Sequence, residues 1–263
     1  MGIENKFKFK SKAASLLVGV SIFAMTSTAS ALETLPKDKS MSGMDIELVG
    51  RDDLWTYQSC DSYNESPLTK SYVDAGKLPP VNERMPKEPW MAKKAQMVDG
   101  IGEYGGTFRH VIGGRPEGFN WLAGQSQGWG GINIQLMESL TRLGPLWQVK
   151  AEEANPLPNL AKDWEFSSDR KSLTMYILEG ARWSDGDIFD TEDIDFWWND
   201  NVQDANVNSR LPKDALGAGT TLEILGPYSF KFNFDEPKGN AVLAQLAYMG
   251  GAPGQSHVMK PLH

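Results

Sequence analysis

Gly124-Gln-Ser126-Gln-Gly128 has the G-x-S-x-G spacing of a nucleophile elbow. In that motif a strained strand-to-helix turn lifts a serine above a sheet, beside an oxyanion hole. His257 and several acidic residues lie downstream, so the order serine, acid, histidine can be assembled and a secreted serine hydrolase using Ser126 is one reading. Three features count against it. Glu117 to Ala123 lacks the pattern of a buried strand, Gly130-Gly131 delays any helix, and the chain after Ser126 is short for a complete hydrolase sheet. Gly100-Ile-Gly102-Glu-Tyr-Gly105 matches G-x-G-x-x-G, but a dinucleotide site needs a strand before the glycines and a helix after them. Here a strand pattern follows, so that reading fails. Asp185, Asp187, Asp190, Glu192, Asp193 and Asp195 are dense but lack calcium-loop spacing, and turn and helix-start chemistry accounts for them as a solvated acidic turn. His110, His257 and His263 are too scattered for a zinc site, and nothing singles out a carboxylate pair for glycoside hydrolysis. The expectation is a non-catalytic protein without metal or cofactor.

The first residues have the form of a secretory signal. Lys6, Lys8, Lys10 and Lys12 precede an apolar run from Ala13 to Met25 that is too short to span a bilayer. Ala29-Ser30-Ala31 supplies a small-x-small cleavage pattern, which places the mature start at Leu32 and the protein in the periplasm. Cleavage removes four lysines and one glutamate, taking the net charge from −8 to −11. Such an acidic surface repels phosphate backbones and excludes nucleic acid as a partner. Cys60 is the single cysteine, so no internal disulfide can form, and it reads as a small packing residue or part of an extended segment.

Elements must position whatever chemistry remains. Residues 32–100 are punctuated by Pro67, Pro79, Pro80, Pro86 and Pro89, and composition alone reads as a linker. Gly105 to Ile112 reads as a strand after a glycine turn. Ile132, Leu136, Leu140 and Leu143 recur at helical spacing before Gly144-Pro145. Leu173 to Leu178 alternates as a strand. Thr191 is read as an N-cap, with Ile194, Trp197, Trp198 and Val202 as the buried stripe of its helix. Leu222 to Leu225 and Tyr228 to Phe234 read as a hairpin with Phe230, Phe232 and Phe234 on one face, and a last helix is expected over Asn240 to Met249. This pattern leaves both α/β and α+β open.

The run Leu178-Glu-Gly-Ala-Arg-Trp-Ser-Asp-Gly-Asp-Ile-Phe-Asp-Thr-Glu-Asp-Ile-Asp-Phe-Trp-Trp198 resembles a signature of family 5 solute-binding proteins of ABC importers, the dipeptide- and oligopeptide-binding type. Glu179 stands where that family usually has Arg, and Asp190-Thr191 where it usually has Thr-Ala. Tyr63 to Pro86 resembles the leader of one branch, in which a short helix precedes a Gly-Lys-Leu-Pro-Pro turn, and Glu103 to Arg109 resembles the first core strand. The resemblance implies a mixed α/β fold, the N-terminal lobe of a type II-like periplasmic-binding-protein clamshell. It implies residues 1–31 as signal peptide, 32–100 as extended leader and 101–263 as an incomplete solute-binding lobe. Full-length family members are about twice as long, and Gly251 to His263 resembles the segment before their crossover, so a chain truncated near the hinge with its second lobe absent is expected.

The same resemblance supplies the partners and the site. A small solute, peptide or oligosaccharide, is closed between two lobes and handed to an ABC permease in the inner membrane. The cleft-facing loop falls at Gln125-Ser126-Gln127-Gly-Trp129, where Gln125 and Gln127 offer amide donors and acceptors and Trp129 an aromatic wall. Arg115 and Asn120 are further ligand-binding candidates. A one-lobe interaction protein, with an exposed apolar face where a second lobe would dock, is the other alternative.

Overall fold

Alternation of apolar and polar residues builds the centre of the molecule. The structure, a computed structural model, describes residues 48–93, 102–109, 136–144, 149–150, 153, 155–209 and 211–263. Four antiparallel strands, β5 (Ala161–Phe166), β6 (Ser172–Ile177), β7 (Thr221–Gly226) and β8 (Ser229–Asn233), form a sheet in the order β5-β6-β8-β7. Register aligns two apolar rows across it. Phe166 faces Leu173, Leu173 faces Phe232 and Phe232 faces Leu222; Trp164, Met175, Phe230 and Ile224 repeat the pattern one step along. Because the side-chain period is two, a slip of one residue would turn both rows outward, so burial fixes the pairing. Leu173, Met175, Phe230 and Phe232 are fully buried. The hairpin and the common face of Phe230, Phe232 and Phe234 match expectation.

The helix after the sheet's signature turn covers that face. α3 (Thr191–Asp195) continues as a π-helix over Phe196–Val202, closed by Gln203 N donating to Trp198 O at 2.9 Å. The wider π turn brings the adjacent Trp197 and Trp198 inward together, along with Phe196, Asn201 and Val202. Trp198 meets Phe232 with ring centroids 4.9 Å apart, and Phe230 meets Phe232 edge-on at 5.4 Å. The cap differs from expectation. Asp190, in extended backbone, accepts from Glu192 N at 2.7 Å, while Thr191 is the first helical residue and donates its hydroxyl to Gly226 O.

Three other expectations fail, each to a stronger local or tertiary demand. Residues 102–109 contain no strand, because Gly105 and Gly106 take positive φ and break extension; His110 to Ile112 lie outside the described residues. Residues 137–143 are not helical. Leu140 N donates to Gly251 O, Thr141 N to Leu246 O, and Ala161 N to Leu140 O, while β3 (Thr141–Arg142) pairs with β4 (Leu157–Pro158). Of the described residues of that stripe Leu140 is buried and Leu136 and Leu143 are exposed, while Ile132 lies outside the described residues. The last helix shortens to α4 (Ala241–Gln245), since Leu246 and Ala247 turn away to join Thr141.

The proline-rich segment is ordered over 48–93 rather than linker-like. β1 (Trp55–Tyr57) pairs with β2 (Trp90–Ala92), and α1 (Lys70–Asp74) precedes Gly76 and then α2 (Val81–Arg84). The Arg84 guanidinium reaches both oxygens of Glu65 and holds that carboxyl below its ordinary range. Tyr57 donates its hydroxyl to Asn159 O at 2.7 Å, and burial pushes the phenol up. Lys162 pairs with Glu88 at 2.7 Å. Cys60 is half-buried with Sγ 3.5 Å from Met91 Sδ, as a packing role predicts. All these residues lie in one unit, 35–263.

Gly251 gives a direct test of the packing. Its carbonyl takes the Leu140 amide, and a Cβ there would overlap the Leu246 carbonyl. Neither neighbour is a flexible side chain. Gly251→Ala is expected to destabilise by about 1–3 kcal/mol, the usual cost of overpacking, measured by urea unfolding.

Candidate functional site

The signature turn is closed by its own backbone hydrogen bonds. Arg182 and Ile188 form an antiparallel bridge, Trp183 N donates to Asp187 O at 2.9 Å, and Gly186 N donates to Trp183 O at 3.0 Å. Gly186 sits at φ +98°, a conformation that L side chains rarely adopt, which is why the turn carries glycine. Asp187 N donates to Asp185 Oδ1, and Arg182 Nη1 donates to Gly186 O.

Asp193 ties this turn to the rest. Its carboxylate is buried at 2 % exposure. Oδ2 accepts from Trp183 Nε1 at 2.9 Å and from Asp190 N at 3.3 Å, and Oδ1 accepts from Ser256 N at 2.8 Å. The signature turn, the helix start and the distant Ser256 therefore converge on one side chain. α5 (Ser256–Met259) is held beside the turn by a second set of contacts. His257 Nε2 lies 2.9 Å from Asp185 Oδ2, and Nδ1 lies 3.1 Å from Asp187 Oδ2. The His257 hydrogen bond, then the Asp187 backbone amide, hold the Asp185 carboxyl below its ordinary range.

Two open grooves flank this hub. One, of about 810 Å³, runs between α3 and α5 and is lined by Glu192, Asp195, Ile224, Ser256, His257 and Lys260. The other, of about 830 Å³, lies between the Lys77-Leu-Pro79 turn and the signature turn, with Arg84, Arg182, Trp183 and Asp185 in its walls. Carboxylates, guanidinium groups and an indole in one concave surface can hydrogen-bond and stack a polar solute; they do not form a nucleophile–base pair. His257 has a carboxylate on each ring nitrogen, so neither is free to accept a serine proton. The hydrolase reading thus loses the histidine it relied on.

The acidic cluster resolves into separate tasks. Asp190 caps a helix, Asp193 joins three segments, Asp185 and Asp187 face His257, and Asp195 accepts from Asn199 Nδ2 at 2.8 Å. Among the described residues no set of three His, Cys, Asp or Glu side chains is arranged to hold a metal ion. Gln125, Ser126, Gln127, Trp129, Arg115 and Asn120 all lie outside the described residues. Sequence reasoning missed the roles of Asp193 and His257. The Asp190-x-x-Asp193 spacing is a legible capping-box signal, but contacts to Trp183 and Ser256 form only through space.

Residues 155–260 match the model of the bacterial extracellular solute-binding proteins, family 5 Middle. The chain is 47% identical over 255 residues to the periplasmic alpha-galactoside-binding protein of Rhizobium meliloti (strain 1021), covering 95% of this chain and 37% of that one. It superposes on the periplasmic binding protein MelB of Agrobacterium fabrum C58, solved in complex with stachyose, with a TM-score of 0.77 and 46% identity. That alignment covers 86% of this chain and 34% of MelB. An oligopeptide-binding protein, OppA, matches at 31% identity and a TM-score of 0.61, over 77% of this chain and 28% of that one. The chain thus spans about a third of the length of the relatives it matches.

Proposed function

Because the chain has the fold of the family 5 bacterial extracellular solute-binding proteins, we propose that it serves as the solute-binding component of an ABC importer, working in the periplasm on oligosaccharides of the α-galactoside type. The observation that carries this reading is the likeness, sustained along nearly the whole chain, to a protein named for binding α-galactosides. A role in capture and delivery makes and breaks no covalent bond, in keeping with a His257 engaged on both sides by carboxylates. An acidic, tryptophan-rich chain suits a neutral polyhydroxylated solute, whose hydroxyl groups take hydrogen bonds while its ring faces pack on indole.

Within this reading residues 1–31 are the export signal, cut after Ala31, 32–100 the leader and 101–263 part of the N-terminal lobe. Gln125, Ser126, Gln127 and Trp129, with Arg115 and Asn120, are the ligand contacts we propose: amides and hydroxyl toward sugar hydroxyls, indole against a ring face. An ABC permease in the inner membrane is the second partner. Among the described residues no helix is long and apolar enough to cross a membrane.

Peptide binding is the second reading, favoured by the likeness to OppA. Tryptophan fluorescence separates the two, since the chain has nine Trp to report closure or stacking. Titration of the native protein with raffinose and stachyose is expected to give a saturable change, and titration with di- and tripeptides none. Saturation by peptides alone would replace the oligosaccharide reading.

A further inference from the structure

Both ring nitrogens of His257 lie within hydrogen-bond reach of a carboxylate. A neutral imidazole has one N–H and one lone pair, whereas an imidazolium donates from both nitrogens. Here both nitrogens face carboxylate oxygens, at 2.9 Å for Asp185 and 3.1 Å for Asp187. A neutral ring would aim its lone pair at one of them. We propose that His257 is a protonation-controlled clamp: charged, it donates to both Asp185 and Asp187 and fastens α5 and its flanks to the signature turn; neutral, it lets go of one carboxylate and loosens that contact.

The surroundings favour the charged form from every packed element. The turn contributes Asp185 and Asp187, with Arg182 as its only cation, engaged on the Gly186 carbonyl. α3 contributes Glu192 and Asp195 along the same groove, and the charge of the buried Asp193 behind it. The segment itself contributes Lys260, drawn 3.6 Å from Asp200 on the π-helix. Gln255 adds an amide toward Asp185 at 3.4 Å. The Asp185 hydrogen bond, aided by the charges of Asp187, Asp185 and Asp193 and opposed by partial desolvation, holds the His257 imidazole above its ordinary value of 6.5.

The sign of the effect follows. A group whose folded pKa is raised adds stability that is complete below the ordinary imidazole value and is lost as pH rises through the raised one. Asp185, held low, adds stability present above the ordinary carboxylate range and lost as pH falls through its depressed value. The clamp is therefore tightest in mildly acidic solution and loosens in both directions. It does not detach the segment outright, because Ser256 N still donates to the buried Asp193. The three side chains are substantially exposed, so salt should weaken the effect.

NMR titration of the histidine Cε1–H signals of the full chain tests this. His257 is expected to titrate above the ordinary imidazole midpoint, and Asp185→Asn and Asp187→Asn should each move its midpoint down. Amide protection of Met259, whose N–H donates to Gln255 O, should fall across the wild-type midpoint and stay flat in His257→Gln. A His257 midpoint at or below the ordinary value, or one unmoved by Asp187→Asn, would overturn the proposal. Asp187 is exposed and takes no part in the Asp193 hub, so that variant is expected to fold and keeps the test decisive.

Discussion

Asp193→Ala is expected to lower the urea midpoint of unfolding, at a cost of about 3–5 kcal/mol. Its two oxygens take the Trp183 indole N–H and the amides of Asp190 and Ser256. Hydrogen bonds to a charged group contribute about 1.5–3 kcal/mol each, and a buried donor left without an acceptor adds its desolvation penalty. Geometry also predicts how a milder change fails. Asp193→Asn retains one carbonyl oxygen and presents an NH2 at the other position. If the oxygen serves Trp183 and Asp190, the NH2 meets the Ser256 amide, donor against donor. Asn should therefore cost roughly half as much as Ala, about 2 kcal/mol, and remove exchange protection from Ser256 while sparing Asp190. Equal urea midpoints for wild type and Asp193→Ala, with m unchanged, would refute the hub.

Trp198→Ala should be comparably severe by a different mechanism. Trp198 is 1 % exposed and stands between Trp197, at 6.0 Å, and Phe232, at 4.9 Å, where the π-helix meets the sheet. Removing an indole from a packed interior costs about 3–5 kcal/mol, combining lost transfer energy with an unfilled cavity. The neighbours cannot collapse freely, because Phe232 is fixed by pairing on both edges of β8. Trp198→Phe keeps an aromatic contact to Phe232 and should cost about half as much, again read from urea unfolding. A loss below about 1 kcal/mol for the alanine variant would mean that the helix does not rest on the sheet as described.

These two residues mark what the sequence made legible and what it hid. The sheet was legible because Leu173, Met175 and Ile177, and Phe230, Phe232 and Phe234, alternate with polar residues, and period two has one structural meaning. The site of the helix at 191–202 was legible from its apolar spacing, but the π geometry was not, since Trp197 and Trp198 satisfy either winding. Leu136, Leu140 and Leu143 were misleading for the opposite reason. Their spacing is helical, yet Leu140 to Arg142 are claimed by Gly251, Leu246 and the strand at 157–158, partners that spacing does not encode. In the signature turn the fold-bearing residues were recognisable and their task was not. Trp183, Asp193 and Ser256 meet only after three segments have packed. Ligand class was the least legible: a receptor recognises sugar hydroxyls and peptide groups with the same side chains, so no short motif separates them.

The most direct measurement is isothermal titration calorimetry of the native protein, purified from the periplasmic fraction, with stachyose and, separately, with a tripeptide. The oligosaccharide reading predicts saturable one-to-one binding of stachyose in the micromolar range or tighter, about −8 kcal/mol or better, and no saturable heat with the peptide. Saturable binding of the peptide with none of stachyose would contradict it.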